Sequence, residues 1–235
     1  GVLADWLIEA ARHAGYPAQA TSIPGVAQRT GATTYYLEIV PEPNSALGGR
    51  RPVLGLNPLP GRLDALVSSE LLETSRQIGL GMASSDRTTV ISHNGRTLTT
   101  AEKMVMGDGR RDAEQLMQLV ASHSRVHHVL DMAALTREAG TVVSAVMLGC
   151  IAASGLLPFA REAYAAVLAG ESASARASRK GFDLGFEAIT RQREQQRYLE
   201  ALLATPPAAT APALPADVTA AFPADVHEVL ALGHA

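Results

Sequence analysis

Cysteine is nearly absent from this 235-residue sequence: Cys150 is the only one. A single thiol excludes an internal disulfide and a self-contained four-cysteine iron–sulfur cluster. Lysine is scarce as well. Only Lys103 and Lys180 stand among the 20 basic residues, and with the abundance of alanine this reads as genome composition rather than as function. Positive charge is not in surplus either, since 20 basic against 23 acidic residues leave a net charge of −3. No overall basic field exists to hold nucleic acid. Long apolar runs are missing too. The longest, residues 141–157, is uncharged but dotted with glycine, serine and cysteine. It is marginal for a membrane span of about 20 residues, and no membrane association is expected. No signal peptide precedes the first helical pattern, which makes the cytoplasm the expected compartment.

What is present suffices for a large core. A composition 47% hydrophobic and 18% charged excludes wholesale disorder. A chain of this size buries about 70% of its unfolded surface. Val2, Leu3, Trp6, Leu7, Ala10 and Ala11 recur at helical spacing until Gly15 and Pro17. A short run at 18–22, a loop at 23–32 and a β-branched, aromatic stretch at 33–40 follow. Short strands are expected at 53–57 and 63–68. A helix is expected at 69–78, with Ser68 or Ser69 as its cap and Glu70 in its first turn. Residues 88–93 read as a strand, and Asn94-Gly95 as a hairpin turn returning through 96–99. A helix at 112–122 and a strand at 126–130 complete this part.

Short strands alternating with helices of about ten residues predict an α/β fold, an open and mostly parallel sheet with helices on both faces. That domain is expected over residues 1–140. A C-terminal helical extension follows at 141–204, with helical patterns at 141–153, 158–169 and 187–203. Residues 205–217 are an alanine/proline-rich linker. Residues 217–231 carry enough valine, phenylalanine and leucine for one or two short helices, so 205–235 reads as linker plus tail.

Signatures of a self-sufficient enzyme are lacking: no G-x-S-x-G, H-E-x-x-H, Walker loop or C-x-x-C occurs. His127 and His128 are adjacent in an expected strand, where neighbouring side chains point to opposite faces, so they do not share one ion. His93 stands at the mouth of the expected hairpin without a carboxylate neighbour in sequence. Cys150 reads as a small buried hydrophobe. Gly107-Asp108-Gly109 matches the opening of the diphosphate–magnesium motif of thiamine enzymes. The Asn pair about 25 residues later is replaced by Met132-Ala133-Ala134, so this stretch reads as a turn before the next helix. The loop at 23–32 is the best local candidate for a site. Gly25 and Gly31 let a ligand approach the backbone, Gln28 supplies an amide, and Arg29 can fork onto a carboxylate or phosphate. Ser68 and Glu70, just past another strand, are expected to line the same crevice, at the carboxyl ends of strands.

Two stretches carry a resemblance. Residues 1–11 with Gly15-Tyr16-Pro17, and the loop 24–31, resemble the gamma-type domain of 2-oxoacid:ferredoxin oxidoreductases. The wording Gly25-Val26-Ala27-Gln28-Arg29-Thr30-Gly31 is most similar to the small (beta) subunit of indolepyruvate:ferredoxin oxidoreductase. Residues 64–73, 86–92 and 101–104 fit as well, so the resemblance covers about residues 1–200. It implies a subunit of an enzyme that oxidatively decarboxylates a 2-oxoacid with coenzyme A, giving acyl-CoA and reduced ferredoxin. Thiamine diphosphate, magnesium and iron–sulfur clusters are then expected on a larger partner subunit, through which ferredoxin is reached. Coenzyme A is possible at the interface, and this chain alone is expected to bind no cofactor and to be inactive.

Carried over by position, Arg29 and Gly31 fall in the family's R-G-G-like loop, with Thr30 in place of its first glycine, which leaves a ligand less room. The family's first strand and the start of its glycine-rich turn should precede Gly1, so Val2 is expected to enter a helix with that strand missing or supplied from elsewhere. Two other readings compete. One is a stand-alone nucleotide- or CoA-binding module with Gly1 at a helix N-terminus as an anion seat. The other is a purely structural interaction subunit in which the 23–32 loop is interface.

Overall fold

A computed structural model describes residues 1–23, 33–95, 113–203, 215–223, 226–227 and 230. Contacts divide the chain into two compact units, Gly1–Gln192 and Arg193–Ala235. The chain enters helix α1 (Val2–Ala14) at once, as expected. Leu7, Ala10 and Ala11 face the core. Gly15, at φ 79°, ends the helix: its N–H returns to Arg12 O at 3.1 Å and that of Tyr16 to Ala11 O at 2.8 Å. This left-handed turn is the one helices most readily close with a glycine.

Strands β1 (Ala18–Ile23) and β2 (Thr34–Ile39) then pair antiparallel as a separate two-stranded sheet. A second sheet is parallel, in the order β3 (Ala65–Ser68), β4 (Thr89–His93), β5 (Val126–Leu130). Its two faces are covered by different clusters, and alternation along each strand divides the side chains between them. Leu66, Val90 and Val129 join the cluster containing Leu71, Ile78, Leu116 and Val120. These come from α2 (Leu71–Gly79) and α3 (Ala113–Ser122). Val67, Ile91 and Leu130 join the larger cluster on the opposite face. That cluster also takes in α1 and, after α4 (Met132–Ala139), helices α5 (Val143–Ser154), α6 (Arg161–Val167) and α7 (Ala173–Leu203). One core therefore contains residues from both sides of residue 140. The expected α/β class, with a parallel sheet flanked by helices and a long helix near the C-terminus, is what the chain adopts.

Three local readings change. Residues 53–57 are not a strand but an extended loop held against β1 and β2 by side chains. Asn94-Gly95 does not start a hairpin with β4, because β4 is the central strand and both its edges carry parallel partners. Residues 96–99, the expected return, lie outside the described residues. The long helix begins at Ala173, well before the expected 187.

α5 is apolar all round because it is the inner helix. Val146, Leu148 and Cys150 are fully buried. Its backbone meets that of α7 where glycines face each other. A Cβ on Gly149 would overlap the Phe182 carbonyl and lie 2.8 Å from Phe186 N, and one on Gly185 would overlap the Val146 carbonyl. Among the described residues no single helix is long and apolar enough to cross a membrane. Of the second unit, α7 continues to Leu203, and α8 (Ala216–Ala221) follows.

Candidate functional site

The carboxyl ends of β3, β4 and β5 lie side by side, with Ser68 opposite Ser92 and His93 opposite Leu130. Each strand hands over to a loop here, which is where open parallel sheets hold ligands. The edge is knitted by short polar contacts. Ser68 Oγ donates to Glu70 O at 2.8 Å and accepts the Glu70 N–H at 3.2 Å. Ser68 therefore braces the turn into α2 rather than capping the helix. Glu70 itself is the N-cap, in extended conformation and without a side-chain cap bond. Leu71 N–H donates to Gly95 O at 3.0 Å, tying the start of α2 to the end of β4. Beneath, the Thr74 and Ser92 hydroxyls meet at 2.7 Å, both fully buried, and Ser92 donates to His93 O at 3.0 Å.

His93 is the most chemically able group at this edge. Met132 N–H donates to its Nδ1 at 3.2 Å. The same Nδ1 lies 3.2 Å from Leu130 O, so this one ring nitrogen meets both a donor and an acceptor. Asn94 N–H and the His93 ring both approach Leu130 O, at 3.0 and 3.2 Å. Gly95 leaves space for the ring: a Cβ there would overlap His93 Nε2 and lie 3.0 Å from Cε1. Across the edge, Asp131 caps α4, accepting the Ala134 N–H at 2.9 Å. The result is an ordered edge with an imidazole held against the end of β5 and the start of α4.

The residues singled out from the sequence are distributed unevenly. Ser68 and Glu70 are at this edge. Gly1 starts α1 elsewhere, packed against the Tyr35 ring of β2, whose Cζ lies 2.8 Å from where a Cβ would be. Gly25, Gln28, Arg29, Thr30 and Gly31 lie outside the described residues. The loop that contains them joins two antiparallel strands, not a strand of the parallel sheet to a helix. The loop does follow a strand, as expected, but that strand is β1 of the two-stranded sheet. Sequence reasoning set His93 aside for want of a neighbouring carboxylate. Its partners are the Leu130 carbonyl at the end of β5 and the Met132 N–H at the start of α4, 37 and 39 residues further on, for which no local pattern exists. Asp131 was legible in principle, as an aspartate directly before a helical run.

Other candidate chemistry is absent from the described part. Among the described residues no group of three His, Cys, Asp or Glu could hold a metal ion. Cys150 is buried against Gly185 O, and burial pushes its thiol up to about 12. An inert thiol of this kind does not fit the role of cluster ligand. His128 is buried, with Nδ1 3.0 Å from Gln192 Oε1, and fastens β5 to α7. A cleft of about 510 Å³ opens between the end of α1 and α6, lined by His13, Tyr16, Pro158 and Glu162 among alanines, and includes none of these residues.

Comparison with known proteins gives the chain a family. No curated protein matches the chain. Among solved structures, the pyruvate oxidoreductase subunit PORC from Thermotoga maritima is similar at 19% identity with a TM-score of 0.51, over 79% of this chain and 87% of that one. At that identity the likeness speaks for the fold. The model of the pyruvate ferredoxin/flavodoxin oxidoreductase family matches residues 1–190. That stretch ends within two residues of the first compact unit, Gly1–Gln192. By a match that takes in most of its length, the chain belongs to the pyruvate ferredoxin/flavodoxin oxidoreductase family.

Proposed function

We propose that this chain is the thiamine-free, gamma-type subunit of a 2-oxoacid:ferredoxin oxidoreductase, with indolepyruvate or a related arylpyruvate as substrate. The observation that carries the reading is the family match over residues 1–190, coextensive with one compact unit. The arylpyruvate assignment rests on the wording of residues 25–31 alone. In this reading thiamine diphosphate, magnesium and the iron–sulfur clusters belong to a larger companion subunit in the cytoplasm. The single buried cysteine of this chain is consistent with such a division. Coenzyme A would meet the interface near Arg29, whose guanidinium suits a phosphate. The chain's own task is to complete the fold of the assembled site and to cover its acceptor side.

The test is reconstitution of the chain with its thiamine-containing companion. The pair should reduce ferredoxin only when given both an arylpyruvate and coenzyme A, while neither protein does so alone. Turnover by this chain unaided would overturn the subunit reading. A pair that prefers pyruvate to indolepyruvate would overturn the substrate assignment and leave the rest standing.

A further inference from the structure

Asn94-Gly95 has the wording of a tight hairpin turn, yet the chain makes no hairpin with β4 there. Asn94 is one of three asparagines, and the three differ in the residue that follows. Asn57 precedes Pro58, whose nitrogen carries no hydrogen. Asn44 precedes Ser45 inside the short 3-10 helix Asn44–Ala46, where a side chain stands beside the peptide nitrogen. Asn94 alone precedes a glycine, whose amide no side chain shields.

The edge of the sheet holds this pair in a particular way. Asn94 is exposed. Its N–H donates to Leu130 O at 3.0 Å, and Gly95 O accepts the Leu71 N–H at 3.0 Å. Between those two anchors, nothing among the described residues accepts the Gly95 N–H. That nitrogen is therefore not engaged by the fold. The glycine is also not exchangeable, because a Cβ on it would overlap His93 Nε2 and lie 3.0 Å from Cε1. Packing of the imidazole thus demands, directly after an exposed asparagine, the residue that leaves the peptide nitrogen most open to reaction.

We infer that Asn94 is a site of spontaneous deamidation in the folded chain, by way of a cyclic imide with Gly95. The Gly95 nitrogen, giving its proton to solvent, forms a bond to Asn94 Cγ. The bond from Cγ to the side-chain nitrogen breaks, and that nitrogen leaves as ammonia. Water then opens the ring. Attack at Cγ gives aspartate, and attack at the main-chain carbonyl gives isoaspartate. Nothing is oxidised or reduced, and water is the only co-reactant. Either product adds a carboxylate to the edge that already carries Glu70 and Asp131, which alters what that edge attracts. Isoaspartate also routes the main chain through one additional carbon, between the anchors to Leu130 and Leu71. The inference is independent of which 2-oxoacid the assembled enzyme accepts.

The experiment holds the purified full chain at mildly alkaline pH, folded in buffer and, in parallel, unfolded in guanidinium chloride. Tryptic peptide 88–96, which ends at Arg87 on one side and Arg96 on the other, is followed by mass spectrometry and by isoaspartyl methyltransferase labelling. The folded chain is expected to convert Asn94 within about tenfold of the unfolded rate, as a site needing little local opening does. Asn44 should stay unconverted in the same folded sample. Asn94→Gln, whose longer side chain closes the ring poorly, should lose the label while keeping the wild-type circular dichroism. Protection of Asn94 by folding greater than about tenfold would overturn the inference. So would a label that persists in Asn94→Gln, or conversion of Asn44 that keeps pace with that of Asn94.

Discussion

The crossing of α5 with α7 and the carboxyl edge of the parallel sheet are both dense, but they are held by different means. At the crossing, main chains touch through glycines, among the buried side chains of Val146, Leu148, Cys150 and Phe182. At the edge, hydrogen bonds run between hydroxyls, an imidazole and backbone groups of three successive strand ends. Steric contact of the first kind tolerates no added atom, since packed backbones cannot move apart without losing their whole interface. Hydrogen-bonded contact of the second kind tolerates exchange of one donor or acceptor for another of similar reach. Substitution at the crossing therefore decides whether the chain folds, and substitution at the edge changes what a folded chain presents to a ligand.

The strongest way to break this contrast is Gly149→Ala or Gly185→Ala. Each added methyl would collide with a backbone carbonyl, so we expect a loss of about 4 kcal/mol or more, a large part of a domain's total stability. Urea titration would show it, and a loss below about 1 kcal/mol would mean that the helices are not in backbone contact. Next in size is an effect of pH on the same crossing. Burial raises the Cys150 thiol to about 12 in the folded chain, against about 8.5 when unfolded. The unfolded state therefore releases its proton first. The stability owed to the neutral thiol is whole below about pH 8.5 and is lost as pH rises toward 12, amounting to about 3 kcal/mol by pH 11. Cys150→Ala should remove that portion of the alkaline decline, as denaturation at pH 8 and pH 11 would reveal.

At the edge the expected changes are smaller. His93→Ala deprives the Met132 N–H of its acceptor and should destabilise by about 1–2 kcal/mol. His93→Asn offers an oxygen near the position of Nδ1 and should recover most of that, while removing the rest of the ring. If the two variants melt alike, the Met132 bond is not what holds the ring. Back in the helical core, the Tyr164 hydroxyl is buried with no hydrogen-bond partner among the described residues. Tyr164→Phe should accordingly raise stability by about 1 kcal/mol, since it removes an unsatisfied polar group and keeps the ring. A clear loss on that substitution would show that the hydroxyl is satisfied.

Elements with a local signal were legible in the sequence. α1 ended where Gly15 stopped its periodic face, β5 stood at 126–130 as read, and the α/β class followed from the alternation of elements. What failed had a long-range cause. The first half of α7 was missed because Gly181 and Gly185 look like helix breakers, although they are there to let Thr141, Ala145 and Val146 approach. Asn94-Gly95 looked like a hairpin because nothing local reveals that β4 already has a neighbour on each side. Of the candidate site, Ser68 and Glu70 were found from their place after a strand. The contribution of His93 depends on β5 and α4 lying beside it, which only the fold determines.

The smallest effect sharpens the contrast most. Gly79 closes α2 at an exposed position, with ordinary φ and nothing within 4 Å of where a Cβ would stand. Gly79→Ala is the same chemical change as Gly149→Ala, made in another helix. Alanine limits the unfolded chain and favours the helix, so here the change should raise stability by about 0.5–1 kcal/mol. Opposite signs for the two substitutions would locate the difference in the space facing each glycine, since propensity acts equally on both. A loss at Gly79 comparable to that at Gly149 would instead mean that α2 is covered by something the isolated chain does not show, and the simple division between a steric crossing and a polar edge would not hold.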